Sequence, residues 1–258
     1  MSTLRNDESV SAVRIFGILS GFGLMGFIGT GFLLAGLLPF PGPYPADVAA
    51  QYFHEDVDLK RFGIILVIVG GTMFMPLGAA IADRLRRVEG VGRIAAQVQF
   101  GSAVIASTLM MLCGSMILVG LQRPDMADST YQLLNHVAWM TLAGLWQPGA
   151  VQAACTAWAV LSDKSETPVF PRWIGWYSAC MTFGSLTGSL IPFFTDGPFA
   201  WNGFISFWIA GAIFFAYYIV IVVYLVRVHR DASAREKLVA KGASSGESLP
   251  HLAEGSAR

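Results

Sequence analysis

The groups in this chain that can do chemistry are uncharged or nearly so, and they gather in two stretches. The first, YQLLNHVAWMTLAGLWQPGAVQAACTAWAVL, carries Asn135, His136, Gln147 and Gln152, with Thr156 one helical turn beyond the last. The second, PFFTDGPFAWNG, sets Asp196, Trp201 and Asn202 among phenylalanines. Amides and hydroxyls in a hydrocarbon setting have two uses: they join helices by hydrogen bonds, or they line the polar spot of a cavity. Pro148 removes one backbone donor and frees the carbonyl of Gly144, so a kink is expected there that turns the neighbouring polar groups toward a shared space. His136, Asn135 and Asp196 are the residues from which acid-base or polarising chemistry would have to be built.

Familiar membrane chemistries are missing from the pattern. Among the four histidines only His136 falls in an apolar run, since His54 precedes Lys60 in a polar connection and His229 and His251 follow Val228. One histidine supplies neither paired haem ligands nor a copper or di-iron site. No apolar run holds Asp, Glu, Lys or Arg away from its ends, which argues against a proton relay or a Schiff-base lysine. No Ser-His-Asp set, HExxH or nucleotide loop is present. His54, Glu55, Asp56 and Asp58 have metal-capable atoms, but their spacing fits a solvated acidic helix face. No catalytic residue, metal or cofactor is therefore expected.

The elements that must position these groups are membrane spans. The chain has 258 residues, 54% hydrophobic and only 13% charged, and its mean hydropathy is +0.57. That composition is too apolar for a soluble domain. The net charge of zero provides no field that would recruit nucleic acid. Cys113, Cys155 and Cys180 lie inside apolar runs and read as small buried hydrophobes. Crossing ~30 Å of hydrocarbon takes ~20 apolar residues in a helix. Six segments qualify: Ile15–Leu38, Phe62–Ala82, Ile94–Leu121, Tyr131–Leu161, Trp173–Phe194 and Phe204–Val226. The fold expected is all-α, a polytopic bundle of six transmembrane helices over residues 15–228. The first run exceeds the length of a signal peptide's apolar region and is read as a retained span.

Basic residues orient the bundle, because cytoplasmic loops retain them. With both termini cytoplasmic, only Lys60, Arg61 and Arg123 of the 17 Lys and Arg lie outside. Residues 1–14 are then a cytoplasmic segment and 229–258 a cytoplasmic tail, helical at first and otherwise disordered, because it is rich in Ser, Gly, Ala and charge. The acidic stretch 46–60, with Val48, Tyr52, Phe53 and Val57 at helical spacing, is expected to be an outer interfacial helix. Arginines in RLRRVEGVGR suit the anionic headgroups of membrane lipids. Glycines at 17, 21, 23, 26, 29, 31 and 36 in the first span allow close helix packing, inside the bundle or against a second copy or another membrane subunit.

Four strings, LRRVEG, LLNHVAW, VFPRWIGW and PFFTDGPFAWNGF, resemble those of a family of uncharacterised bacterial polytopic inner-membrane proteins found in actinobacteria and proteobacteria. The resemblance runs from the first span through the sixth and implies the same architecture in a bacterial cytoplasmic membrane. It brings no activity with it. The residues themselves favour a non-enzymatic protein that binds or helps move a small hydrophobic molecule, through Asn135, His136, Gln147, Gln152, Asp196, Trp201 and Asn202. The alternatives are a membrane enzyme acting on a lipid-soluble substrate and an accessory subunit docked through its first helix.

Overall fold

The computed structural model describes residues 2–38 and 42–245, with side chains described for 15–38 and 42–231. All regular structure among these residues is helical. The helices are α1 (Ser2–Leu34), α2 (Ala46–His54), α3 (Val57–Thr72), α4 (Phe74–Leu85), α5 (Gly92–Gln122), α6 (Asp128–Ala143), α7 (Gln147–Ser162), α8 (Arg172–Ser185) and α9 (Ala210–Ser245). A 3-10 segment, Leu186–Phe193, continues α8, and a π-helical turn, Phe204–Ile209, leads into α9. The tail position expected after Val228 is helical as far as Ser245, and residues 246–258 lie outside the described residues.

Among the described residues four helical stretches are long and apolar enough to cross a membrane: Ile15–Leu34, Val57–Leu85, Gly92–Gln122 and Phe204–Asp231. Their outer faces are apolar as well, as Phe16, Phe22, Phe62, Ile94 and Trp208 show. The two remaining expected spans are interrupted helices, divided between α6 and α7 and between α8 and its 3-10 continuation.

The helix ends have local causes. α1 stops at Leu34, short of the expected Leu38, because Gly36 adopts φ +65°, which a glycine reaches without a Cβ clash. The Leu37 amide then donates to Phe32 O at 2.8 Å and the Gly36 amide to Leu33 O at 3.2 Å, closing the helix in the Schellman pattern. The acidic stretch after it is two helices rather than one, since Asp56 sits at φ 47° between α2 and α3. Aspartate tolerates that left-handed turn better than most residues. Pro76 cannot donate to Thr72 O, and the helix is interrupted at Met73, between α3 and α4.

α5 lies centrally, touching α3, α4, α6 and α7, while α1 packs on α3, α4 and α9. Where α1 meets α3, Gly31 and Gly63 put backbone on backbone: a Cβ on Gly63 would lie 2.6 Å from Ala35 N. Such a close approach brings the two backbones into extensive van der Waals contact. α2 lies on α6. There Tyr52 Oη donates to Ala35 O at 2.8 Å, and Lys60 Nζ donates to Tyr52 O at 2.6 Å from 4.3 Å above the Tyr52 ring. Burial pushes the Tyr52 hydroxyl well above its ordinary pKa, so it stays a donor. In the loop after α7, Asp163 accepts from the Ser165 amide and hydroxyl at 3.0 and 2.6 Å and from the Val169 amide at 2.8 Å. Arg84 and Tyr224 both donate to Val169 O, which ties this loop to α4 and α9.

Candidate functional site

The break between α6 and α7 builds the site. A bent helix was expected over Tyr131–Leu161, but the helix ends outright at Ala143 and a new one begins at Gln147. Pro148 is the reason: it lacks the amide that would continue α6, yet it fits the first turn of a fresh helix, where an amide has no partner within the helix. The Ala150 amide restarts the pattern on Trp146 O at 3.2 Å. The offset leaves a cavity of about 370 Å³ beside the break.

Its walls come from six parts of the fold. Ile28 and Phe32 of α1, Phe74 of α4 and Met110 of α5 face Leu142 to Gln152, and the π-helical turn with the first turns of α9 closes the far side. Phe74, Phe214 and Tyr218 form a set of edge-on rings, with centroids 5.9, 5.5 and 4.9 Å apart, and Trp146 meets Phe214 edge-on at 6.2 Å. At the rim, Leu38, Leu145 and Trp208 are 44%, 46% and 49% exposed, so the cavity opens onto the apolar exterior. Among the described residues no Asp, Glu, Lys, Arg or His lines it.

Among the described residues, two polar side chains of the wall carry a fully buried donor without an acceptor. Gln152, 2% exposed, accepts at Oε1 from Tyr218 Oη at 3.3 Å, and its Nε2 has no acceptor. Trp146 Nε1, buried where the indole lies against Gly188, also has none. An unpartnered buried donor costs about 1–3 kcal/mol. One turn further along α7, Thr156 Oγ1 donates to Gln152 O at 2.9 Å and accepts from Tyr217 Oη at 3.3 Å. The two tyrosines thus hold α9 against α7 through the polar groups of α7.

Of the seven residues singled out in the sequence, only Gln152 lines this cavity. Asn135, 3% exposed, donates from Nδ2 to Gly42 O at 3.1 Å and accepts at Oδ1 from Trp139 Nε1 at 2.7 Å. His136 Nδ1 lies 3.0 Å from Gln132 O, and its ring meets the buried Trp201 edge-on at 4.8 Å. Asn202 lies against Gly42: a Cβ there would come 2.7 Å from Nδ2. These four form a cluster that fixes the chain at Gly42 across α6. Asp196 is exposed in the loop that turns at Gly197, and Gln147 is exposed at the start of α7. Among the described residues no three His, Cys, Asp or Glu side chains converge as a metal site.

Sequence reasoning missed Trp146, Phe207, Phe214 and Tyr218. The signal was the run FFAYY, residues 214–218, which puts Phe214 and Tyr218 on one helical face four residues apart. Two tyrosine hydroxyls in an apolar helix need acceptors, and Gln152 and Thr156, also four apart, are the matching pair on α7.

The fold and cavity define a class: an all-helical chain with helices fit to cross a membrane, compatible with an integral membrane protein, built around an aromatic-lined cavity. No family model, curated protein or solved structure matches the chain.

Proposed function

We propose that this chain is a six-span protein of a bacterial inner membrane, with both termini cytoplasmic, that binds or helps move a small hydrophobic molecule in the cavity at the α6–α7 break. The observation that carries the reading is that cavity, about 370 Å³, walled by aromatic and aliphatic side chains and open toward the exterior between Leu38, Leu145 and Trp208. Its volume falls in the range of small-molecule sites, ~300–1,000 Å³.

Lengths support the fourth and fifth spans of the six. α6 and α7, with 16 residues each, are about 24 Å long apiece, so neither alone crosses ~30 Å of hydrocarbon while the two together do. α8 with its 3-10 continuation reaches about 37 Å. Broken helices at membrane depth are tolerated where the freed backbone lines a cavity, which is where this break lies. The basic turn from Arg84 to Arg93, on the same side as the loop after α7, supports the cytoplasmic assignment.

Binding is tested with the full-length protein in nanodiscs and a brominated alkane as quencher of Trp146 and Trp208 fluorescence. Saturable quenching that is weakened in Trp146→Phe is expected. Quenching that rises linearly with the alkane, as simple partition into lipid gives, would overturn the reading.

A further inference from the structure

We infer that the cavity is a blind site serving one leaflet. It takes the hydrocarbon tail of a lipid sideways from the leaflet around the C-terminal end of α1, leaves the headgroup at the interface, and gives no passage to the other leaflet. This deepens the proposal above and rests on the cavity being a ligand site.

Contacts between the helices fix the depth of each lining residue. Gly17 meets Ala80 and Gly31 meets Gly63, so α1 runs opposite to α3 and α4; Gly71 meets Met110 and Gly78 meets Ala103, so α5 does too. Gly21 meets Val222 and Ile18 shares a small cleft with Leu225 and Val228, which sets α9 opposite to α1. The loop after α7 is bonded to Arg84 and Tyr224, so α7 ends at the same side as α4 and α9. In that register the lining stops at one level. Its members nearest the N-terminal end of α1 are Ile28, Phe74, Ala106, Gln152 and Tyr218, one from each of five helices. One turn further that way, Leu24, Leu77, Ala103, Thr156 and Ile221 are each at most 1% exposed. Below them Gly17 and Gly21 leave no room for a Cβ against Ala80 and Val222. The floor is therefore closed by dense packing.

The end toward water is closed as well. On α6 the lining begins at Leu142, and one turn nearer the start of that helix the buried Trp139 bonds Asn135, which bonds Gly42 O. The opening lies to the side, where the rim residues Leu38, Leu145 and Trp208 are apolar and exposed. Lining positions on α9 run from Ser206 to Tyr218, about 18 Å along the helix at ~1.5 Å per residue. Half of the ~30 Å hydrocarbon is close to that length, so the space has the depth of one leaflet. A headgroup would enter a wall that, among the described residues, has no Lys, Arg or His to offset its desolvation. A hydrocarbon tail needs none. The proposed orientation makes the leaflet concerned the outer one.

The test uses the full-length protein in lipid vesicles and a phosphatidylcholine with a diazirine midway along one chain. Vesicles are sorted by capture through a tag on the C-terminus, and the photolipid is exchanged into their outer leaflet alone. Vesicles that escape capture present the C-terminal end of α1 outward. In these, irradiation is expected to label Met110, Phe207 or Tyr218, which line the cavity and are at most 9% exposed, as well as the exposed Leu33. Captured vesicles should label exposed residues such as Trp176 and none of the three. Gly149→Leu with Gly211→Leu should lose the cavity adducts and keep those at Leu33. Equal cavity labelling from both leaflets would overturn the one-leaflet inference and leave the ligand site standing. Labelling confined to exposed residues in every vesicle would overturn tail entry, and the ligand site with it if bromoalkane quenching is also linear. Cavity adducts that persist in the filled variant would overturn the assignment to this space.

Discussion

Filling the cavity from its own wall separates a binding site from a packing accident. A Cβ added to Gly149 or to Gly211 meets no heavy atom within 4 Å, although both residues line the cavity. Gly149→Leu is therefore expected to fold. A leucine removed from a core leaves roughly 150 Å³, so one introduced here takes on the order of a third of the 370 Å³. Each buried methylene contributes about 0.8 kcal/mol, and leucine is favoured over glycine in a helix by nearly 1 kcal/mol. The variant should melt at the same temperature as wild type or higher. A ligand that loses contact equivalent to three methylenes loses about 2.4 kcal/mol, roughly fifty-fold in affinity, and Gly149→Leu with Gly211→Leu should abolish binding. Bromoalkane quenching and thermal unfolding in nanodiscs read both quantities. Unchanged affinity in a folded Gly149→Leu protein would refute the site, and a large drop in melting temperature would refute the claim that the space is open.

Three further outcomes are expected. In a cysteine-free background, Glu166→Cys should react with a membrane-impermeant maleimide only after permeabilisation. Reaction in intact cells would instead put the loop after α7 outside, as a four-span arrangement requires. Asp163→Ala should destabilise the protein by about 2–4 kcal/mol, because the Val169 and Ser165 amides lose their acceptor. Burial opposes ionisation of Asp163, but the hydrogen bonds from Ser165 and Val169 outweigh it and hold its pKa below the usual carboxylate range. Its stabilisation is therefore full above about pH 4 and lost as pH falls through the lower, folded value. The gap in melting temperature between wild type and Asp163→Asn should close below about pH 4, and a gap constant with pH would refute the account. Gly63→Leu forces a side chain onto the Ala35 and Gly31 backbone and should cost about 3 kcal/mol or more, read as lost folded yield, whereas Gly26→Ala should be near neutral.

The helical, membrane-compatible character of the chain was legible because it depends on composition and run length, both local properties. So was the position of the break, since Pro148 marks it by lacking an amide. Its form was not. Whether a proline kinks one helix or starts another depends on what packs on either side, here Trp146 against Gly188 and α9 beyond. The site was legible only at Gln152. Asn135 and His136 look like site residues because they are polar in an apolar run, but their partners, Gly42 O and Trp201, lie 93 and 65 positions away. Trp146 and Tyr218 look like ordinary membrane aromatics until α7 and α9 are brought together. Polar type reveals that a group needs a partner. It does not reveal whether the fold supplies one.

The glycines of α1 divide by azimuth. Gly17 meets Ala80, Gly21 meets Val222 and Gly31 meets Gly63 O and Val67, so a single face of one helix sets the approach of three neighbours. Gly26 and Gly29 touch nothing on their open side. Abundance of glycine is thus a poor index of constraint in this helix, and drift should erase the outward pair long before the inward set. Homologous chains, once aligned, ought to carry that asymmetry as a fossil of the packing, with small residues retained at 17, 21 and 31 and ordinary lipid-facing residues accumulating at 26 and 29.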